Sequence, residues 1–139
     1  GLMATHLVDK SAWVRLTRQP VRDRWGSALS EGRLALTGVG MLEILVSTKS
    51  AAEFASIRGA LNAMPRVAIT ERIVDRAIDV QGEMVGRGTH RAPSAADLIL
   101  AACAESNGLT VLHYDHDFEL ISDVTGQPIE WVAPVGSIP

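Results

Sequence analysis

Cysteine is almost absent from this chain: its 139 residues include one, Cys103. A lone thiol excludes an intramolecular disulfide framework and a multi-thiolate zinc site. Aromatic side chains make up only 4%, so Leu, Val, Ile and Ala must fill the core. No apolar run reaches the ~18 residues that suggest a membrane span. No charged n-region precedes an apolar h-region as in a secretory signal. A cytoplasmic protein without membrane association is therefore expected. The chain also lacks a Walker-A glycine loop and a dinucleotide glycine fingerprint. Positive charge is missing from the last third. All 13 Lys and Arg residues lie at or before Arg91, and from Ala92 onward there are seven acids, among them Asp97, Asp115 and Asp117.

Hydrophobic residues make up 47% of the chain, and its length suits one domain with one substantial core. Gly1-Leu2 before Met3 reads as an expression scar, so the domain is taken as residues 3–139. No repeat, low-complexity stretch or linker divides it.

Residues 5–9 read as a strand, a mostly apolar run that stops at Asp9. A short helix over 11–18 follows, stopped by Pro20, and then a helix over 21–30. A buried strand at 34–37 leads into a helix over 39–47, apolar almost all round, whose only charge is Glu43. A helix over 51–64 stops at Pro65, and 66–69 is a short strand. Thr70 caps a long helix to about Val85. Residues 86–93 form a basic, glycine-containing loop with Arg87 and Arg91. Ser94-Ala-Ala-Asp97 opens a core helix that runs to Ser106 and is closed by Asn107-Gly108. A strand at 109–114 turns at Asp115-His-Asp117-Phe into a short helix. A last strand spans 129–132, and residues 134–139 are expected to form a frayed tail. Strands alternating with helices specify an α/β protein, a three-layer α/β/α sandwich around a short, mainly parallel sheet.

In such a sheet the ligand crevice lies at the carboxyl ends of the strands. Asp9 and Asp115 each end a strand there. Asp97 opens a helix at that edge, and Glu43 lies in the second turn of another. Each acid also has a plain reading: Asp97 as half of a capping box with Ser94, Asp115 or Asp117 as a helix cap, Glu43 as part of a solvent-facing stripe. Four carboxylates meeting in one crevice would repel one another unless a cation neutralised them. Hard, oxygen-seeking Mg²⁺ or Mn²⁺ suits such ligands, and a site of this kind activates water against a phosphodiester. Ser11 places a hydroxyl beside Asp9, where it is expected to assist a metal-bound water. Residues 10–33 carry six positive charges, including Lys10, Arg15 and Arg18, which suit a polyanion approaching an acidic pocket. His113 and His116 flank Asp115, but a lone His is more often a core or surface residue than a ligand.

Four segments together, Leu-Val-Asp9-Lys-Ser11-Ala, Met-Leu-Glu43-Ile-Leu, Ser-Ala-Ala-Asp97-Leu-Ile-Leu-Ala and His-Tyr-Asp115-His-Asp117-Phe, resemble a PIN-domain ribonuclease, most closely a VapC-type toxin of a toxin–antitoxin pair. The resemblance runs from Met3 to about Val132. It implies a PIN-like fold and metal-dependent endoribonuclease activity, with Mg²⁺ as cofactor and Mn²⁺ as substitute. By motif position Asp9, Glu43, Asp97 and Asp115 are the acidic quartet, with Asp9, Asp97 and Asp115 as metal ligands. Asp117 is an auxiliary acid, and Ser11 matches the hydroxyl after the first Asp. Lys10 stands where many members have Thr, and it brings a cation to the pocket. Lys10, Arg15, Arg18, Arg87 and Arg91 are candidate RNA contacts. The resemblance further implies a cognate antitoxin and a homodimer.

Two other enzyme readings fit poorly. A phosphotransfer receiver needs a late Lys, and none follows Lys49. A haloacid-dehalogenase-like phosphatase needs an Asp where Ser11 stands. The remaining alternative is a non-catalytic PIN-like module that binds nucleic acid or protein.

Overall fold

The computed structural model describes residues 3–139. Gly1-Leu2, read as an expression scar, lie outside them. Five strands form one parallel sheet: β1 (His6–Val8), β2 (Leu34–Thr37), β3 (Arg66–Val67), β4 (Thr110–His113) and β5 (Ile129–Trp131). Their order is β3-β2-β1-β4-β5. The chain moves outward on one side of β1 through β2 and β3. It then crosses back to place β4 and β5 on the other. The order therefore reverses between β1 and β4, the position at which parallel sheets open a crevice beyond their carboxyl ends.

Helices cover both faces: α1 (Lys10–Trp13), α2 (Val21–Ser30), α3 (Gly38–Leu45) and α4 (Ala51–Asn62) on one, α5 (Glu71–Arg87), α6 (Ala95–Asn107) and α7 (Asp117–Thr125) on the other. The expected three-layer α/β/α sandwich is thus present. Strand alternation explains the division. Leu7, Ala35 and Val111 lie side by side and meet α5, α6 and α7. Val8, Leu34, Leu36 and Leu112 point the other way, onto Trp25, Ile44 and Leu61. Among the described residues, no helix is long and apolar enough to cross a membrane.

Local sequence explains each helix. Buried Ile73, Ala77, Val80 and Met84 recur along α5 at helical spacing, and the Thr70 hydroxyl caps its start. Helix α6 ends at Gly108, whose φ of 64° lies in the left-handed region that glycine adopts without strain. Phe118, fully buried at the start of α7, joins that helix to the core beneath β1 and β4. Phe118→Ala is expected to destabilise the protein by about 3–5 kcal/mol, read from urea unfolding midpoints. A loss under about 1 kcal/mol would mean that this site is not packed as described.

Several expected boundaries move. Helix α1 is regular only to Trp13, because the following bonds, Arg15 N to Ala12 O and Leu16 N to Trp13 O, tighten to three-residue turns. Strand β3 has two residues rather than four. Gly86 and Arg87 close α5, so the basic loop begins at Gly88. The frayed tail is a correction: residues 134–139 are tied down. The Tyr114 hydroxyl donates to Ile138 O at 2.9 Å, and Arg15 and Arg18 donate to Pro139 O at 2.9 and 2.7 Å.

Candidate metal centre

The cleft at the switch point is lined by Asp9, Lys10, Ser11, Val14, Arg15, Glu43, Ser94, Asp97 and Asp115. All four acids singled out in the sequence are therefore together. Asp9 follows β1 directly and is 6% exposed. Its amide donates to Leu112 O on the adjacent strand at 2.9 Å. Ser11 ties the two strand ends together. Its hydroxyl donates to Asp9 Oδ2 at 2.6 Å and accepts from the Tyr114 amide at 2.8 Å. Its amide donates to the same Asp9 oxygen at 2.9 Å. Ser11 gives its single hydroxyl proton to Asp9 and so holds that carboxylate in place.

Helix starts position the other acids. Asp97 and Ser94 form a reciprocal capping box, with Ser94 N donating to Asp97 Oδ2 at 3.0 Å and Asp97 N to Ser94 Oγ at 3.1 Å. Asp115 Oδ1 accepts from the Asp117 amide at 2.9 Å. Each of these carboxylates gives one oxygen to a local backbone bond. The second oxygen accepts no hydrogen bond from the described residues. Cap and site are compatible because a carboxylate has two oxygens.

Asp97, Asp115 and Asp117 each offer an oxygen within 4.8 Å of the others. The auxiliary acid Asp117 thus stands in the group whose oxygens are close enough to share an ion; Asp9, expected as a ligand, is not in that group, although it lines the cleft with Asp97 and Asp115. Electrostatics agree with a shared pocket. Burial, then the repulsion of Asp9 and Asp115, pushes Asp97 up to about 6. Burial raises Asp9 against the pull of its Ser11 bonds, and Asp115 adds to the rise. Burial and Asp9 raise Glu43, with Lys10 opposing. Burial and Asp115 raise Asp117. Three clustered carboxylate oxygens with this repulsion form a hard, anionic donor set that fits a divalent cation coordinated through oxygen.

Among the candidate phosphate contacts, Lys10 and Arg15 line the cleft. Arg15 is braced by Ser11 O at 2.7 Å and lies 4.3 Å from the Tyr114 ring centroid. Arg18, Arg87 and Arg91 are exposed and are not among the lining residues. His116 is exposed and pairs with Glu119 at 2.7 Å. The sequence assigned no part to His113, which is fully buried below Asp115. Burial pushes its imidazole down to about 4, so it is neutral at pH 7. The available signal was a histidine ending an otherwise apolar strand.

Ser11→Ala is expected to keep the fold and to lower Mn²⁺ affinity by about 10–100-fold, the usual cost of losing a group that orients a metal ligand. Calorimetric titration with Mn²⁺ measures this. Unchanged affinity would show that the Ser11 bond does not hold Asp9 for the ion.

An open parallel sheet with a carboxylate-lined crevice at its switch point defines a small α/β protein whose crevice is compatible with a metal ion. A family model described as PIN domain matches residues 6–124, and the chain belongs to the PIN domain family. It is similar to Ribonuclease VapC2 of Mycobacterium tuberculosis, 45% identical over 128 residues that cover 89% of each chain. It is also similar to Ribonuclease VapC18 of the same species, 37% identical over 133 residues covering 94% of this chain and 97% of that one. Among solved structures, the DNA-bound VapBC from Salmonella typhimurium superposes with a TM-score of 0.78 at 19% identity, covering 94% of this chain and all (100%) of that chain. VapBC2 from Rickettsia felis, bound to a fragment of promoter DNA, superposes with a TM-score of 0.75 at 11% identity, covering 91% and 98%. At those identities the solved structures show the fold.

Proposed function

We propose that this chain is a metal-dependent endoribonuclease and the toxin of a toxin–antitoxin pair, a single PIN-like domain over residues 3–139 that acts in the cytoplasm. The observation that carries the reading is the set of carboxylates at the switch point, of which Asp9, Asp97 and Asp115 each keep one oxygen free of their local backbone bond. The ribonuclease names of relatives 37–45% identical support the substrate class.

Asp9, Asp97 and Asp115 are the proposed ligands of Mg²⁺, with Mn²⁺ able to substitute, and Asp117 assists. When bound, the ion supplies charge neutralisation of the phosphodiester, a more acidic water and stabilisation of the leaving oxygen. This chain's residues supply the rest. The dipole at the start of α6 and the cap bonds favour ionised carboxylates beside one another. Glu43, with its proton affinity raised by burial and Asp9, takes a proton from the attacking water as the new P–O bond forms and the ester P–O bond breaks. The leaving oxygen takes up a proton from solvent as it departs. Lys10 and Arg15 hold phosphate at the cleft, and Arg18, Arg87 and Arg91 contact the strand farther out.

The cognate antitoxin is the proposed protein partner. An apolar groove of about 660 Å³ between α1, α2, α3 and α4, lined by Trp13, Leu16, Trp25, Leu29 and Ile44, shares Val14 with the acidic cleft. A partner segment seated in it reaches the catalytic carboxylates. A homodimer is proposed on the exposed apolar side chains Leu42 and Val46 of the α3 segment, 69% and 78% exposed.

The test is cleavage of an end-labelled RNA pool by antitoxin-free protein with Mg²⁺, with Mn²⁺ and with EDTA. Cleavage that needs the metal supports the reading. Persistent cleavage in EDTA contradicts it. Intact RNA with both metals would favour the non-catalytic binding module.

A further inference from the structure

His113 is the last residue of β4 and is fully buried. Its Nδ1 accepts the Asp115 amide hydrogen at 3.1 Å. An accepting Nδ1 puts the ring proton on Nε2, and Nε2 is buried with no hydrogen-bond partner. The ring lies among aromatics, 4.7 Å from Trp131 and 5.2 Å from Phe118 between centroids. An unpaired buried donor costs stability. A leucine would fill this position without that cost. What leucine cannot do is accept the Asp115 N–H.

We propose that His113 is a positioning residue for the metal centre: its Nδ1 fixes the Asp115 backbone and so aims the Asp115 carboxylate into the cleft. The chain of bonds is continuous. His113 Nδ1 holds the Asp115 amide, Asp115 Oδ1 accepts from Asp117 N at 2.9 Å, and oxygens of Asp115 and Asp117 stand within 4.8 Å of Asp97. The neighbouring Tyr114 amide is held by Ser11, so both peptide groups leading to Asp115 are pinned by side chains. This inference rests on the proposed cation site and deepens it.

The experiment is calorimetric titration of the antitoxin-free full chain with MnCl₂, with thermal melting in EDTA alongside. Wild type is compared with His113→Leu, His113→Asn and His113→Gln. Asn carries an acceptor where Nδ1 stood, two bonds from Cβ, whereas Gln places its amide nearer the Nε2 position. We expect His113→Leu to melt near wild type, because it removes the unpaired Nε2–H and leaves the Asp115 N–H without its acceptor, yet to bind Mn²⁺ at least about tenfold more weakly. His113→Asn should stay within about threefold of wild type. Should the Leu variant not fold, weaker binding by Gln than by Asn supports the positioning role in its place. A folded His113→Leu that binds as wild type does, or Asn and Gln variants equally impaired, would overturn the positioning role and leave His113 as packing. Wild type that binds no Mn²⁺ would overturn the cation site itself, and this inference with it.

Discussion

Asp97→Asn is expected to lose RNA cleavage by about 100-fold or more and yet to melt higher than wild type in EDTA. The two effects have one cause. Burial and the charges of Asp9 and Asp115 oppose ionisation of Asp97 and push it up to about 6. At pH 7.5 the metal-free protein keeps the carboxylate charged against that opposition. Asn removes the charge while its side-chain oxygen still accepts the Ser94 amide, so the capping box survives. After allowance for solvent screening the gain is about 1–2 kcal/mol, or roughly 3–6 °C in melting temperature for a chain of this size. Mn²⁺ should then raise the melting point of wild type and leave the variant unmoved. A variant that cleaves normally would remove Asp97 from the site. A variant that melts lower would show that Asp97 is structural first.

The second large effect is in pH. Asp97 must be ionised to serve as a ligand, so Mn²⁺ affinity should be level above about pH 7. It should then fall about tenfold for each unit below about pH 6, because binding must displace a proton. Raised values at Asp9 and Glu43 act in the same sense. Titration calorimetry from pH 5 to pH 8 measures the profile. Affinity that is flat across this range would contradict a charged, crowded cluster. Stability without metal needs its own sign. Asp97 is raised on folding, so the native state binds the extra proton between about pH 4 and 6, and stability falls as pH rises through that window. His113 is lowered from 6.5 to about 4, so the unfolded chain binds the extra proton there, and stability falls as pH drops. The two oppose each other. The melting difference between Asp97→Asn and wild type isolates the first, and it should vanish near pH 4.

Much of the fold was legible because its signals are local. Apolar runs of strand length, Pro20 and Pro65 as stops, Thr70 and Ser94 as caps and Gly108 as a terminator each have one physical meaning, and the elements fall where they point. Errors arose where tertiary contacts decide. Nothing in Pro134–Pro139 announces that Tyr114, Arg15 and Arg18 will hold it. The length of α1 depends on turns that tighten after Trp13. The four acids were legible as strand ends and helix starts, but a sequence cannot show that one carboxylate serves as cap and cleft wall together. It offers these as rivals, whereas the structure joins them in Asp9 and Asp97. Asp117 read as secondary by motif, yet it stands within the tightest oxygen cluster. His113 was hidden for another reason. Its role lies in accepting one backbone hydrogen, and no spacing rule encodes that.

The proposed function stands or falls with one divalent-cation site held by these carboxylates. The most direct measurement is an anomalous difference map from crystals of the antitoxin-free protein soaked in MnCl₂. A strong peak is expected in the cleft with oxygens of Asp97 and Asp115 at roughly 2.1–2.2 Å, near the distance of hard-cation coordination, and no such peak in Asp97→Asn. A saturated crystal with no peak in the cleft, or with Mn²⁺ bound elsewhere and the cleft empty, would contradict it.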